Sequence, residues 1–248
     1  MENNIKYIKS SLNDEIAYCH NDIGSDISIF FFGGYSSTMT GTKASALSKW
    51  CLENKYNFTR FDYSGHGQSG GKFEDGGITK WSIEANEVFQ NFKNKKNIII
   101  GSSMGGWISL LVAKRNIETI HGLIGIASAP DFVVGEWNRL SEDQKDKIKK
   151  EGKIIINWDD YEDDYVITYK FLKDGMKNML LKDIIPITCP IRLLHGKLDN
   201  VVSTNVSQTI IEKIQSKDKD LIIIDDGDHS LSRDSDLNLL FNKIEELV

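Results

Sequence analysis

Along the chain, short apolar runs alternate with longer stretches in which apolar and polar residues recur at helical spacing. The run Ile27-Ser28-Ile29-Phe30-Phe31-Phe32 is nearly continuous, which suits a strand covered on both faces. Comparable runs predict strands over 57–62, 97–100, 120–127, 191–195 and 221–224, and the intervening periodicity predicts helices over 42–55, 79–92, 103–115, 204–215 and 234–247. Ahead of them, residues 5–9 and 15–20 read as a hairpin turned at Asn13-Asp14. Strand and helix alternating in this way predict an α/β fold with a mostly parallel central sheet flanked by helices on both faces.

The alternation breaks once. Residues 131–186 contain no convincing strand-helix unit and are too long for an ordinary connection. We read them as a helical lid insertion in a single domain spanning 1–248, whose core is 1–130 and 187–248. Phe132, Val133, Val134, Trp137, Trp158, Tyr161, Tyr165, Tyr169 and Phe171 could line an acyl pocket beneath it, although for any one of them packing the lid onto the body is the simpler role. The acidic residues 159–160 and 162–164 read as a solvated face.

A length of 248 residues accommodates one large α/β core without a second domain. With 30 basic and 36 acidic side chains the net charge is −6, which offers no general attraction to nucleic acid or anionic membrane. Cys19, Cys51 and Cys189 are scattered and lack zinc or redox spacing, so they read as reduced thiols. The polar start Met1-Glu2-Asn3-Asn4 resembles neither a secretory signal nor a transit peptide, and no apolar run approaches a membrane span. The expectation is a cytoplasmic protein with no integral membrane segment; the oligomeric state is left open.

Candidate chemistry enters at Gly101-Ser102-Ser103-Met104-Gly105, which follows the run Asn97-Ile98-Ile99-Ile100 and opens a predicted helix. Strand, tight G-x-S-x-G turn and helix together form the nucleophile elbow of an α/β-hydrolase fold, with Ser103 as the nucleophile. The turn aims the Met104 N–H at an oxyanion forming on the attacked carbonyl. Gly67-Gln68-Ser69-Gly70-Gly71 matches the same five-residue pattern, but glycines rather than a helix follow it, so Ser69 lacks the context.

A serine hydroxyl needs a base, and in this fold the acid and then the base follow the serine in the chain. His229 lies between the last predicted strand and the last helix, where the fold delivers its base. Asp199 follows strand 191–195 by a short loop and is the candidate acid; Asp131, after the preceding strand, is the alternative. Asp225, Asp226 and Asp228 sit too close to His229 along one loop and read as turn caps. His195 would have to precede its own acid and reads instead as a structural hydrogen-bonding residue, His66 shapes a loop near the mouth, and His20 and His121 default to structural roles. The loop Gly33-Gly34-Tyr35-Ser36-Ser37 should bring a second oxyanion donor, the Tyr35 N–H.

Taken together, Gly34-Tyr35, Met39-Thr40-Gly41-Thr42-Lys43-Ala44, Arg60-Phe61-Asp62-Tyr63-Ser64-Gly65, the elbow through Trp107, and Cys189-Pro190-Ile191-Arg192-Leu193-Leu194-His195-Gly196 resemble one branch of the α/β-hydrolases. It is the palmitoyl-protein thioesterase and acyl-glucuronide esterase branch. The resemblance implies that Ser103, Asp199 and His229 occupy the family's catalytic positions and that the reaction is carboxyl-ester or thioester hydrolysis. Gly33 stands where that branch tends to carry proline, and the lid departs most. The expected function is serine hydrolysis of a small-molecule or acyl-protein ester or thioester, without cofactor or metal. A serine peptidase or amidase on the same scaffold, and a non-catalytic ligand-binding protein, are the rival readings.

Overall fold

In a computed structural model that describes residues 4–156 and 165–248, the chain runs β1 (Lys6–Lys9), β2 (Glu15–Asn21), β3 (Ile27–Phe32), α1 (Thr42–Glu53), β4 (Asn57–Phe61), α2 (Ile78–Phe92), β5 (Lys96–Ser102), α3 (Met104–Arg115) and β6 (Gly122–Ile126). It continues through α4 (Val133–Arg139), α5 (Glu142–Glu151), β7 (Lys153–Ile156), β8 (Tyr165–Thr168) and α6 (Tyr169–Lys177). It closes with β9 (Ile191–Gly196), α7 (Thr204–Lys213), β10 (Lys219–Ile224) and α8 (Asp234–Glu245). Eight strands form one sheet in the order β1-β2-β4-β3-β5-β6-β9-β10. The β1–β2 hairpin pairs antiparallel, β2 pairs antiparallel with β4, and the rest are parallel.

The apolar runs explain the layering, because successive side chains of a strand point to opposite faces. From β3, Phe30 and Phe32 join Ile99 and Leu193 on one face, under Trp81 and Phe89 of α2, Trp107 and Ile108 of α3, and Ile210 of α7. Ile29 and Phe31 point the other way with Ile98, Ile100 and Leu194, under Leu47 and Cys51 of α1 and Leu240 and Ile244 of α8. Each such fully buried apolar side chain contributes roughly 1.5–3 kcal/mol, and the polar residues that the central strands do bury, such as Thr59 and His195, are hydrogen-bonded.

The predicted elements are present, with ends displaced by up to two residues. At β10 the polar, exposed Lys219 and Asp220 extend an apolar run that the sequence pattern starts later. The hairpin turns through Asn13, which takes the left-handed conformation at φ 71°.

Between β6 and β9 the insertion holds α4, α5 and α6 and, in addition, an antiparallel ribbon of β7 and β8 registered from Lys153↔Thr168 to Ile156↔Tyr165. Ser141 caps α5, accepting from Gln144 N–H at 3.2 Å while the Gln144 side chain accepts from Ser141 N–H. Val133 and Phe171 are buried, and Phe132, Val134, Trp137 and Tyr169 pack half-buried on the same core, so these residues fasten the insertion to the body. The Trp107 indole N–H donates to Asn178 O at 3.1 Å, tying α3 to the segment beyond α6. Trp158, Tyr161, the Tyr165 side chain and the acidic residues 159–160 and 162–164 lie outside the described residues. Among the described residues no helix is long and apolar enough to cross a membrane.

Candidate active site

Ser103 sits between β5 and α3 with φ 54° and ψ −119°, a conformation L-residues adopt only when their surroundings enforce it. Those surroundings are glycines. A Cβ on Gly101 would overlap the Gly105 backbone, and one on Gly105 would overlap the carbonyls of Phe32 and Gly33, so the strand, the helix start and the β3 loop approach more closely than any side chain allows. As the first residue of α3, Met104 has a backbone N–H without an acceptor inside its own helix.

The His229 Nε2 lies 3.1 Å from the Ser103 Oγ, and its Nδ1 lies 2.7 Å from Asp199 Oδ2. A carboxylate accepts only, so Nδ1 carries the hydrogen and Nε2 is left to accept the serine proton. The Asp199 side chain is fully buried and His229's is one-quarter exposed. Burial alone would raise the carboxyl pKa. Hydrogen bonds from His195 and His229, the His229 charge and the Val202 N–H outweigh it and hold Asp199 far below the usual carboxylate range. Its Oδ1 accepts from Val201 and Val202 N–H, both at 2.8 Å.

His195 is hydrogen-bonded as the sequence suggested, and one of its partners is Asp199 itself. Its Nε2 lies 3.1 Å from Asp199 Oδ2 and 2.9 Å from Val202 O, while Nδ1 meets Ser207 Oγ at 2.7 Å. With acceptors at Nε2, that nitrogen must donate, so His195 steers the carboxylate. The i, i+4 spacing of His195 and Asp199 across the end of β9 was the signal available.

The other candidates are engaged elsewhere. The Asp131 carboxylate accepts from Leu180 and Leu181 N–H at 2.8 Å each and anchors the far end of the insertion. Burial raises its pKa against those two bonds. Asp225 pairs with Lys197, Asp226 with Arg233, and Asp228 Oδ1 accepts from Leu231 N–H. Ser69 Oγ donates to Asp62 O at 2.6 Å and accepts from Ala17 N–H, so it stitches a loop. His20 bonds Thr59 and stacks on Phe92, and His121 lies within reach of Thr119 O.

The β3 loop folds over the elbow. A Cβ on Gly34 would come within 3.4 Å of the Ser103 Cβ. Tyr35 faces the insertion: its hydroxyl donates to Val166 O in β8 at 2.7 Å, and its ring meets Phe73, Trp81, Phe132 and Phe171.

A cavity of about 700 Å³ opens at Ser103 and His229. Its walls come from the β3 loop, the first turn of α1, the loop after β9 and the His229 loop; of the described residues of the insertion, Phe132 and Glu136 reach it. Of the described aromatic residues expected to line a pocket beneath the insertion, Phe132 lines this cavity. Lys43, Glu136 and Asp228 bring charge to it. The Lys43 ammonium donates to Ser230 O and Ser232 Oγ, clasping the loop that carries His229; burial pushes its pKa down to about 8, against the pull of Asp228 and Asp236. No cluster of three or more potential metal ligands occurs among the described residues.

Such an arrangement can transfer a proton from Ser103 to His229 beside two candidate N–H donors, which is the equipment of acyl transfer. Comparison with known proteins agrees with the fold. The Hydrolase_4 family signature (serine aminopeptidase, S33) matches residues 26–158 and 161–236. The chain is 35% identical over 229 residues to the mitochondrial palmitoyl-protein thioesterase ABHD10 of Rattus norvegicus, covering 91% of this chain and 76% of that protein. It is 34% identical over 226 residues to the Homo sapiens counterpart, covering 91% and 74%. Among solved structures, mouse alpha/beta hydrolase domain-containing protein 10 superposes with a TM-score of 0.90 at 33% identity over 98% of both chains. A protein of Agrobacterium vitis S4 assigned as a hydrolase superposes with a TM-score of 0.93 at 31% identity over 100% of both.

Proposed function

The chain belongs to the Hydrolase_4 (serine aminopeptidase, S33) family of α/β-hydrolases, and we propose that it is a serine hydrolase cleaving carboxyl esters or acyl thioesters through an acyl-enzyme intermediate. Ser103 Oγ attacks the carbonyl carbon while His229 Nε2 takes its proton, and Asp199 stabilises the resulting imidazolium. The N–H groups of Met104 and Tyr35 hold the tetrahedral oxyanion. Collapse breaks the C–O or C–S bond, and the leaving group takes the proton from His229. Water, deprotonated in turn by His229, then releases the acid from Ser103. No step needs a metal or organic cofactor.

The observation that carries this reading is the unbroken line from Ser103 through His229 to Asp199, with the ring nitrogens in the required roles. Thioesters stand beside esters because the curated relatives are named palmitoyl-protein thioesterases. We read residues 131–186 as a lid on one domain, supported by its packing over Tyr35. The free thiols of Cys19, Cys51 and Cys189 support a reducing compartment, the cytoplasm in our reading, whereas the relatives carry mitochondrial names.

A fluorophosphonate probe is expected to label the folded protein at Ser103 and to leave Ser103→Ala unlabelled. Absence of labelling on folded wild-type protein refutes the serine mechanism. The family description also admits a peptidase; turnover of aminoacyl anilides exceeding that of p-nitrophenyl esters and acyl thioesters would favour it.

A further inference from the structure

The loop Asp62-Tyr63-Ser64-Gly65-His66-Gly67-Gln68-Ser69 is more elaborately tied than its distance from the reacting atoms demands. Asp62 accepts from Met39 N–H at 2.6 Å and from Gln68 N–H at 2.8 Å. Ser69 bridges Asp62 O and Ala17 N–H. A Cβ on Gly67, where φ is 45°, would overlap the Asp62 carboxylate. At the centre of this frame His66 is buried, ringed by Tyr63, Phe73 and Trp81.

Its ring nitrogens have opposite, fixed duties. His66 Nδ1 lies 3.3 Å from Ser64 O, an acceptor, so Nδ1 carries the hydrogen. His66 Nε2 lies 3.3 Å from the N–H of Ser36, a donor, so Nε2 presents its lone pair. Ser64 O is itself held by the Trp81 indole N–H at 3.0 Å, which fixes the ring from behind. Ser36 needs holding. Its φ of 57° lies in the left-handed region, it is not glycine, and it closes the turn in which Ser37 N–H bonds back to Gly34 O. Tyr35 is the residue immediately before it.

We propose that His66 is a positioning residue for hydrolysis: by accepting the Ser36 N–H it fixes the turn that directs the Tyr35 N–H at the oxyanion. The proposal rests on the serine-hydrolase reading and extends it to a residue that touches neither substrate nor Ser103. Burial, opposed by the Ser64 carbonyl, pushes the ring's pKa down to about 4, so the accepting lone pair is present at neutral pH. Protonation would set one N–H against another at Ser36.

The test compares His66→Gln, which keeps an acceptor near the Nε2 position, with His66→Met, which keeps bulk and has none. Both tetrahedral intermediates of an acyl-enzyme reaction use the oxyanion donors, so a displaced donor lowers kcat and leaves KM nearly unchanged. Complete loss of one donor costs about 10²–10³ in rate; a displaced one is expected to lower the kcat of folded His66→Met for a p-nitrophenyl ester by about 10- to 100-fold, with His66→Gln recovering most of it. A folded Met variant within threefold of wild type, or a Gln variant no faster than Met, overturns the proposal. Should His66→Met fail to fold, the ¹⁵N resonance of His66 Nε2 in the wild type decides: an unprotonated, hydrogen-bonded nitrogen at neutral pH upholds it, and a protonated one overturns it. Fluorophosphonate labelling of wild type tests the hydrolase reading separately, so either can fail alone.

Discussion

Asp199→Asn replaces an acceptor of four hydrogen bonds with a group that has one oxygen and one NH₂, and the surroundings admit neither orientation. With the amide oxygen toward the N–H groups of Val201 and Val202, the NH₂ faces both ring nitrogens that now donate to Asp199 Oδ2. His195 has little freedom to reverse, because its Nε2 also points at Val202 O. His229 can accommodate the NH₂ only by accepting at Nδ1, which moves its hydrogen to Nε2 and turns it toward Ser103. The serine then faces a donor where it needs a base. With the opposite orientation the NH₂ meets two backbone N–H groups. The wrong tautomer is expected to lower kcat by about 10⁴, equivalent to roughly 5.5 kcal/mol of transition-state stabilisation. Leaving the His195 N–H with one acceptor fewer should lower stability by about 2 kcal/mol. Turnover of a p-nitrophenyl ester at neutral pH, measured beside urea unfolding, reads both quantities. A folded Asp199→Asn protein retaining more than one-tenth of wild-type kcat would refute the tautomer argument and with it the assignment of Asp199.

Two further outcomes follow from the same site. Asp131→Asn loses one of two bonds to Leu180 and Leu181 N–H; it should cost about 1–3 kcal/mol of stability while kcat of the folded protein stays within threefold, and a larger fall in kcat than Asp199→Asn gives would make Asp131 the acid. His66 ionises lower in the folded protein, at about 4, than unfolded, so between those values the unfolded chain binds more protons and stability falls as pH is lowered. From pH 7 to pH 5 its contribution falls by about 2 kcal/mol, and His66→Gln should flatten the wild-type difference in urea unfolding by that amount; an unchanged difference would contradict the buried, neutral ring.

Where each face of an element is decided by its own residues, the sequence was legible. β3 announced itself because both of its faces are covered, and their places in the loops after the last two sheet strands marked Asp199 and His229, the pair that the structure brings to Ser103. The ribbon was not legible. Ile154 and Ile156 are buried while Ile155 is 63% exposed, so the alternation of burial exists but the residue types hide it. The cavity was sought among the aromatic residues of the insertion, since nothing in sequence separates a ring that lines a pocket from one that glues two layers. His66 was legible as a residue that shapes a loop, but its partner, the Ser36 N–H, was not, and neither was the hold of Lys43 on the Ser230 carbonyl; contacts made to backbone atoms leave no mark in residue spacing.

Tyr35 belongs to two structures at once: its peptide lies in the loop over the elbow, and its hydroxyl and ring are committed to Val166, Phe132 and Phe171. The insertion is therefore not an interchangeable part. A chimera that borrows residues 131–186 from another hydrolase to change its substrate range would also remove the carbonyl that anchors Tyr35, so the graft must bring its own anchor or redesign residue 35 with it. Engineering here has to treat that pair of contacts as one transplantable unit.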